Sequence, residues 1–207
     1  QIQIQIQKQK QNSLDIFDLP TFNIGLVGHV SNGKTTIIER LTNIDTKRNS
    51  QEKKRNCTIK LGYANAVLWR CEECNLVYCT NQRKKSLTCL AKQPHHPCVP
   101  QYFISFVDVP GHHSYVSTMI KGSSIMHGAV VVTDARAPTL QTQTMEHLAI
   151  LEVLNVHNLF VVQNKIDLNT RDQCVANYKM LCEQLRGTVA EGKPIVPVSA
   201  YKNWNLD

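Results

Sequence analysis

The stretch GLVGHVSNGKTT, residues 25–36, decides how the rest of the chain is interpreted. Residues 28–35 fit the pattern G-x-x-x-x-G-K-[ST], in which the backbone amides of a glycine-bounded loop curl around phosphate groups. The apolar run FNIGLVGHV, residues 22–30, predicts a buried strand, and the apolar spacing from Lys34 to Thr42 predicts a helix. Strand, loop and helix in this order are the context that a phosphate-binding loop needs.

Each side chain of this loop has an expected task. Lys34 is expected to reach the β- and γ-phosphates of a nucleoside triphosphate, and the Thr35 hydroxyl to ligate magnesium. The other residues of the loop and the first helical turn that we expect to contact the nucleotide are Ser31, Asn32, Gly33 and Thr36.

The remaining pattern predicts an α/β fold. Five further segments read as strands: LGYANAVLW (61–69), YFISFVDV (102–109), GAVVVTDA (128–135), NLFVVQN (158–164) and PIVPVSA (194–200). Helical patterns lie between them, notably TQTMEHLAILEVLN (142–155) and RDQCVANYKMLCEQLRG (171–187). Strands that alternate with helices predict a mostly parallel, six-stranded sheet with helices on both faces, in one domain that starts at residue 22. Ligands of such sheets bind at the carboxyl ends of the strands.

Composition and charge indicate the cellular location and the class of partner. No apolar run approaches the ~20 residues of a membrane-spanning helix, and no secretory signal is visible, so we expect a cytoplasmic protein without membrane contact. The net charge of +7 is compatible with an acidic partner such as RNA. The opening QIQIQIQKQKQNS is low in complexity, and we interpret residues 1–21 as a disordered or extended tail.

The segment QNKIDL, residues 163–168, identifies the base. A carboxylate only accepts hydrogen bonds, so Asp167 can bind the ring N–H and the exocyclic amine of guanine together, which adenine does not offer. Asn164 and Lys165 precede it directly after a predicted strand. Ser199 and Ala200, at the end of the last predicted strand, are expected at the guanine oxygen, and Tyr201 is a further expected nucleotide contact. This pattern favours GTP and GDP as ligands.

The segment DVPGHH, residues 108–113, completes the expected site. Asp108 ends a predicted strand, where it can hold magnesium through water, and the Gly111 amide can contact the γ-phosphate. His112 can orient the attacking water, which makes it the candidate catalytic residue. His113, His147 and His157 are interpreted as ordinary surface or core residues.

These motifs, in this order, resemble the GTPase domain of the translation factors related to elongation factor Tu. RNCTIKLGYANA, QTMEHLAILEV, VVQNKIDL and RGTVAEGKPIVPVSA further resemble the gamma subunits of eukaryotic and archaeal translation initiation factor 2. The resemblance covers residues 22–200 and implies a P-loop GTPase that, with alpha and beta subunits, delivers initiator methionyl-tRNA to the small ribosomal subunit. It also implies a GTPase-activating protein and a nucleotide exchange factor as partners.

The resemblance adds one magnesium ligand and shows three departures. Thr58 is its switch threonine, in a loop expected between Ile44 and Ile59. Three residues depart from the family pattern. Asn32 stands where the family usually has His, His113 where it usually has an acidic residue, and Cys57 where it usually has Ile. We expect them to affect the rate of hydrolysis more than the fold.

A cysteine-rich insert, residues 71–100, is expected to bind structural zinc. Five of the eight cysteines lie between Cys71 and Cys98, and C-x-x-C supplies two thiolates from one tight turn. Many members of the resembled family carry a zinc knuckle here, usually with two such pairs, whereas this chain has one. We expect Cys71, Cys74, Cys89 and Cys98 as ligands, with Cys79, His95 and His96 as substitutes. The alternative is a decayed knuckle without metal.

Two other functions stay open at this stage. The chain can be an elongation-type or selenocysteine-type tRNA-delivery GTPase, or a GTP-binding module with negligible hydrolysis. The family adds two β-barrel domains that this chain does not contain, and we therefore expect it to be a fragment of a longer protein.

Overall fold

The computed structural model describes residues 19, 21–46, 61–81, 86–89, 91, 96–111 and 116–206. Its strands are β1 (Thr21–Val27), β2 (Gly62–Cys71), β3 (Val77–Asn81), β4 (Leu87–Thr88), β5 (Pro97–Asp108), β6 (Gly128–Asp134), β7 (Leu159–Asn164) and β8 (Ile195–Pro197). Its helices are α1 (Lys34–Thr42), α2 (Val116–Ser123), α3 (Thr142–Val153) and α4 (Arg171–Gln184), with a short 3-10 turn over Ile166–Leu168.

All strands belong to one sheet. The order is β3-β2-β5-β1-β6-β7-β8, and β4 pairs with β5. Strands β5, β1, β6, β7 and β8 run parallel, whereas β2 and β3 are antiparallel to their neighbours. The mostly parallel α/β fold is confirmed. The described strands are eight rather than six, because the cysteine-rich insert adds the short strands β3 and β4.

Helices cover the sheet on both faces. On one face, α3 and α4 pack Leu148, Leu151 and Leu181 against Val131 and Val161 of the sheet. On the other face, α1 packs against a second cluster, to which it contributes Ile37 and Ile38. Within the described segments, we find no helix whose length and apolar character would let it span a bilayer.

The candidate residues lie at the carboxyl ends of the parallel strands, on one side of the sheet. Asp108 ends β5, Asp134 ends β6 and Asn164 ends β7, and the phosphate-binding loop follows β1. Because parallel strands end on the same side, the sheet itself gathers segments that lie far apart in the sequence.

Candidate nucleotide-binding site and cysteine cluster

The loop between β1 and α1 has the backbone of a phosphate cradle. Ser31 and Gly33 both adopt the left-handed conformation, with φ of 64° and 96°. A Cβ at Gly33 would lie 2.3 Å from the side-chain nitrogen of Asn164, so glycine is required there by space as well as by backbone geometry. No side chain caps the amino end of α1 in the described structure. The amino end of a helix carries partial positive charge, which favours an anion at this place.

Lys34 is the buried cation of this loop. Its side chain curls back, and Nζ donates hydrogen bonds of 2.8 Å to the carbonyl oxygens of Gly28 and His29. Burial lowers the pKa of Lys34 to about 8, although the charge of nearby Asp108 opposes the change. A phosphate at this place would supply the anionic partner that the ammonium needs, as predicted for Lys34.

Asp108 contacts one hydroxyl group that was expected near magnesium, that of Thr35, and one that was not predicted, that of Thr46. It is fully buried, and its Oδ2 accepts hydrogen bonds from Thr35 (2.6 Å) and from Thr46 (2.7 Å). Hydroxyl and carboxylate oxygens are the donor type that magnesium prefers, so the residues present fit this ion. Gly111 lies so close that a Cβ there would sit 2.7 Å from the Lys34 Nζ and 2.7 Å from the Val30 amide nitrogen.

The segment after β7 contacts the phosphate loop directly. Asn164 is buried; its Nδ2 donates to the carbonyl oxygen of Asn32 at 2.8 Å, and its Oδ1 accepts from the amide of Ala200 at 3.1 Å. Lys165 Nζ donates to the carbonyl oxygen of Ser31 at 2.6 Å. Three segments that the sequence predicted separately therefore form one site.

Asp167 and the last loop lie beside each other. The Ser199 hydroxyl donates to Asp167 Oδ1 at 2.5 Å, and its Oγ accepts from the amide of Lys202 at 3.0 Å. Arg40 of α1 donates to the carbonyl oxygen of Ala200 at 3.1 Å, which connects this loop to the phosphate-binding helix. Ser199 and Ala200 are buried, whereas Tyr201 is exposed.

Helix α3 contributes contacts that the sequence analysis missed. Three of its side chains accept hydrogen bonds from consecutive amides of the phosphate loop: His147 Nδ1 from Gly28 (2.9 Å), Thr144 Oγ1 from His29 (3.2 Å) and Gln143 Oε1 from Val30 (3.3 Å). Burial lowers the pKa of His147 to about 4, with further contributions from Lys34 and His29. The histidine is therefore neutral near pH 7, and its Nδ1 can accept the hydrogen bond from the Gly28 amide. The polar residues at positions 143, 144 and 147 share one face of the helix, which is the signal that could have identified them.

Some predicted residues cannot be placed. Thr58 and His112, with Cys57 and His113, lie outside the described residues. Thr36, the remaining predicted contact, lies half-buried in the first turn of α1.

Three of the predicted zinc ligands converge. The sulfur atoms of Cys71, Cys74 and Cys89 lie within 4.8 Å of one another, with 3.1 Å between those of Cys74 and Cys89. A turn closed by a hydrogen bond from the Asn75 amide to the Cys71 carbonyl oxygen (2.9 Å) positions the first two. The Tyr78 hydroxyl lies 3.1 Å from Cys89 Sγ and, as the largest cause, lowers the pKa of that thiol to about 7. Converging thiols of this kind fit zinc.

The other candidates of the insert differ in position. Cys98 is buried opposite Cys71 in the β2–β5 ladder, but the group within 4.8 Å does not include it. Cys79 packs instead with the cluster under α1, because neighbouring residues of a strand point to opposite faces, and it is not a substitute ligand in this arrangement. The backbone of His96 accepts a hydrogen bond from the Cys89 amide (2.8 Å), and His95 lies outside the described residues.

Relatives among curated proteins are translation initiation factor 2 gamma subunits. The chain is 41% identical to that of Aeropyrum pernix over 194 residues, which cover 91% of this chain and 44% of the relative. It is 42% identical to that of Methanosarcina mazei over 188 residues, covering 91% and 42%, and 45% identical to that of Methanococcus vannielii over 185 residues, covering 89% and 44%. The chain thus spans less than half the length of these relatives.

Solved structures agree on the fold. The bacterial selenocysteine-specific elongation factor EF-Sec superposes with a TM-score of 0.69 at 25% identity, covering 91% of this chain and 27% of that one. Elongation factor SelB from Methanococcus maripaludis, solved in complex with the GTP analogue GppNHp, gives 0.63 at 24% identity, covering 91% and 32%. The family model of the elongation factor Tu GTP-binding domain matches residues 19–207. Because the fold and the phosphate loop agree with this match, the chain belongs to the elongation factor Tu family of GTP-binding domains.

Proposed function

We propose that the described site holds a guanine nucleotide between the loop after β1 and the segment after β7. The observation that carries this assignment is the pair of direct hydrogen bonds between the two segments, from Asn164 to Asn32 and from Lys165 to Ser31. They support a single site that combines the triphosphate cradle with the candidate base-reading carboxylate.

Each end of the pocket has its own chemistry. Lys34 and the first amides of α1 neutralise the phosphates, while Asp167, oriented by Ser199, accepts the two N–H donors of guanine. Thr35 and Asp108, with Thr58, would hold magnesium, which supplies positive charge against the phosphate oxygens when bound. Gly111 supports the γ-phosphate end, and His112 orients water for hydrolysis.

The test of base recognition is the Asp167→Asn variant. Its amide keeps a carbonyl oxygen for Ser199 but offers N–H donors, so it should lose affinity for GTP and gain affinity for XTP, whose C2 carries a carbonyl oxygen. Asp172→Asn, on the exposed first turn of α4, is the matched control and should bind like the wild type. Equal wild-type affinities for GTP and ATP would refute guanine recognition.

Hydrolysis is tested separately. Single-turnover hydrolysis of GTP by the wild type and by His112→Ala measures the chemical step without product release. We expect the variant to be slower by about 10²-fold, the usual contribution of a positioned proton acceptor or orienting group. Equal rates would assign this chain a GTP-binding role without a catalytic histidine.

We further propose that Cys71, Cys74 and Cys89 bind structural zinc, with Cys98 as the fourth ligand. The support is the convergence of three sulfurs and the burial of Cys98 opposite Cys71. Four protein ligands leave no open position, so the ion would fix the insert and take no part in hydrolysis.

For the whole protein, we propose delivery of initiator methionyl-tRNA to the small ribosomal subunit in the cytoplasm, together with alpha and beta subunits. The support is identity above 40% with initiation factor 2 gamma subunits across about nine tenths of the chain. A GTPase-activating protein and a nucleotide exchange factor would control the cycle.

Binding assays with the whole protein test this role. Its affinity for initiator methionyl-tRNA should be higher with a GTP analogue than with GDP, and higher than for elongator methionyl-tRNA, which carries the same amino acid. Preference for elongator tRNAs would favour the elongation-type alternative, and preference for selenocysteinyl-tRNA the selenocysteine-type one.

A further inference from the structure

A buried carboxylate beside the pocket has no role in the function proposed above. Asp134 ends β6 and is only 7% exposed, yet it contacts two cationic side chains. Arg136 donates through Nε to Oδ1 (3.0 Å) and through a guanidinium nitrogen to Oδ2 (2.7 Å), and Lys165 Nζ donates to Oδ2 (2.8 Å). Burial raises the pKa of Asp134, but the hydrogen bonds from Arg136 and Lys165 outweigh it and hold the pKa at about 2.

The two cations differ in what else they contact. Lys165 uses the same Nζ to reach the carbonyl oxygen of Ser31 in the phosphate loop, at 2.6 Å. Arg136 has a half-exposed side chain, and both its guanidinium and its backbone amide donate hydrogen bonds to Asp134. Asp134 therefore connects to the phosphate loop through Lys165 and not through Arg136.

Both ends of this connection have an unfavourable backbone conformation. Lys165 and Ser31 both adopt the left-handed conformation, with φ of 67° and 64°. Non-glycine residues in that region carry local strain and are held there by surrounding contacts. The bridge from Asp134 through Lys165 to Ser31 joins the two strained positions, one in the base-reading segment and one in the phosphate loop.

We propose that Asp134 is a positioning residue for nucleotide retention, which fixes Lys165 as the strut between the base-reading segment and the phosphate loop. The inference rests on the proposed nucleotide site and deepens it. Without the carboxylate, the partly buried ammonium keeps only the neutral carbonyl partner of Ser31, and the hydrogen bond from Asn164 to Asn32 is left to hold the two loops together. The strut ends at Ser31 of the phosphate loop and not at Gly111, which is the residue assigned to the γ-phosphate. Because only GTP carries that phosphate, loss of the strut should weaken the binding of GDP and GTP alike.

The test is a double-mutant cycle on nucleotide affinity. Dissociation constants and dissociation rates of fluorescent GDP and GTP analogues are measured for the purified wild type, Asp134→Ala, Lys165→Ala and the double variant. Loss of a charged hydrogen bond predicts about tenfold weaker binding of both nucleotides by Asp134→Ala. Adding Asp134→Ala to Lys165→Ala should change affinity by less than about twofold, because the carboxylate acts through that lysine.

Matched variants separate positioning from general destabilisation. Arg136→Ala removes the other cation from the same carboxylate and should bind nucleotide within about twofold of the wild type. Asp134→Asn keeps an acceptor for Lys165, and should recover part of the affinity if Asp134→Ala does not fold. At saturating GTP, the single-turnover rate of the Asp134 variants should match the wild type.

The outcomes are distinguishable. Wild-type affinity in both Asp134 variants, or an equal loss from Asp134→Ala with and without Lys165, would overturn the inference while leaving the nucleotide site intact. Failure of the wild type to bind guanine nucleotides would instead overturn the proposed function.

Discussion

Replacing His147 tests whether α3 holds the phosphate loop in place. The imidazole is buried, and its Nδ1 accepts the Gly28 amide at 2.9 Å. In His147→Leu, a side chain of similar bulk fills the space but offers no acceptor. The buried Gly28 amide then has lost its partner, which costs about 1–3 kcal/mol of the free energy of unfolding near pH 7.

The same histidine predicts how this difference changes with pH. Its pKa falls from 6.5 in the unfolded chain to about 4 in the folded one, so the unfolded state binds more protons between these values. The stability that depends on neutral His147 is complete above pH 6.5 and is lost as the pH falls toward 4. At about 1.4 kcal/mol per pH unit, the wild type should lose about 2 kcal/mol through this group by pH 5.

Urea unfolding followed by circular dichroism, at pH 7, 6 and 5, measures this effect. The wild type should be more stable than His147→Leu at pH 7, and the two free energies of unfolding should approach each other by pH 5. His157→Ala, at an exposed histidine, serves as the control and should follow the wild type throughout. Curves for the wild type and His147→Leu that stay parallel from pH 7 to 5 would show that His147 does not titrate as a buried acceptor of the Gly28 amide.

Three further predictions concern the pocket and the insert. Above about pH 8, the Lys34 ammonium of the nucleotide-free protein deprotonates, so the affinity for GDP should fall by up to about tenfold per pH unit, and binding should take up a proton. Calorimetry in buffers of different ionisation enthalpy measures both effects. An affinity that does not change with pH would contradict this prediction. Cys74→Ser should abolish zinc binding in native mass spectrometry and lower Tm, whereas Cys79→Ser should retain the ion; equal zinc content in both variants would be the unexpected result. Gly111→Ala places a Cβ 2.7 Å from Lys34 Nζ and should weaken the binding of GTP by about tenfold and the binding of GDP by less. Titration with fluorescent nucleotides measures both affinities. Equal losses for the two nucleotides would argue against a role of Gly111 at the γ-phosphate.

The sequence predicted those parts of the site that are contiguous. Lys34, Thr35, Asn164 and Asp167 stand in short motifs whose spacing is set by one turn and one helix start, so the local pattern was enough to select them as candidates. Their convergence followed from the parallel order of the strands, and the contact between Asn164 and the phosphate loop bears this out.

Other contacts could not be predicted because they depend on packing across the sheet. Gly28 and His147 are separated by 119 positions, and nothing local to either residue indicates the other. The pairing of Asp134 with Lys165 likewise depends on β6 and β7 being neighbours. The same limit applies to Cys79, whose face of the strand decides which cluster it joins.

Strand lengths departed from the pattern for a simple backbone reason. The predicted strand over residues 194–200 is reduced to Ile195–Pro197, since the backbone of Ser199 pairs with that of Trp204 instead of continuing along β7. At the other side, β5 begins at Pro97, before the predicted residue 102, because it continues along β2 and β4 into the insert.

The assembly of the pocket from distant segments has a consequence for refolding. Asn32, Asn164 and Ala200 meet only after β1, β6, β7 and β8 have paired, and such non-local pairings form slowly. Nucleotide binding should therefore recover after most of the secondary structure has returned. A nucleotide that binds only the finished pocket would also stabilise strands far from it, by mass action.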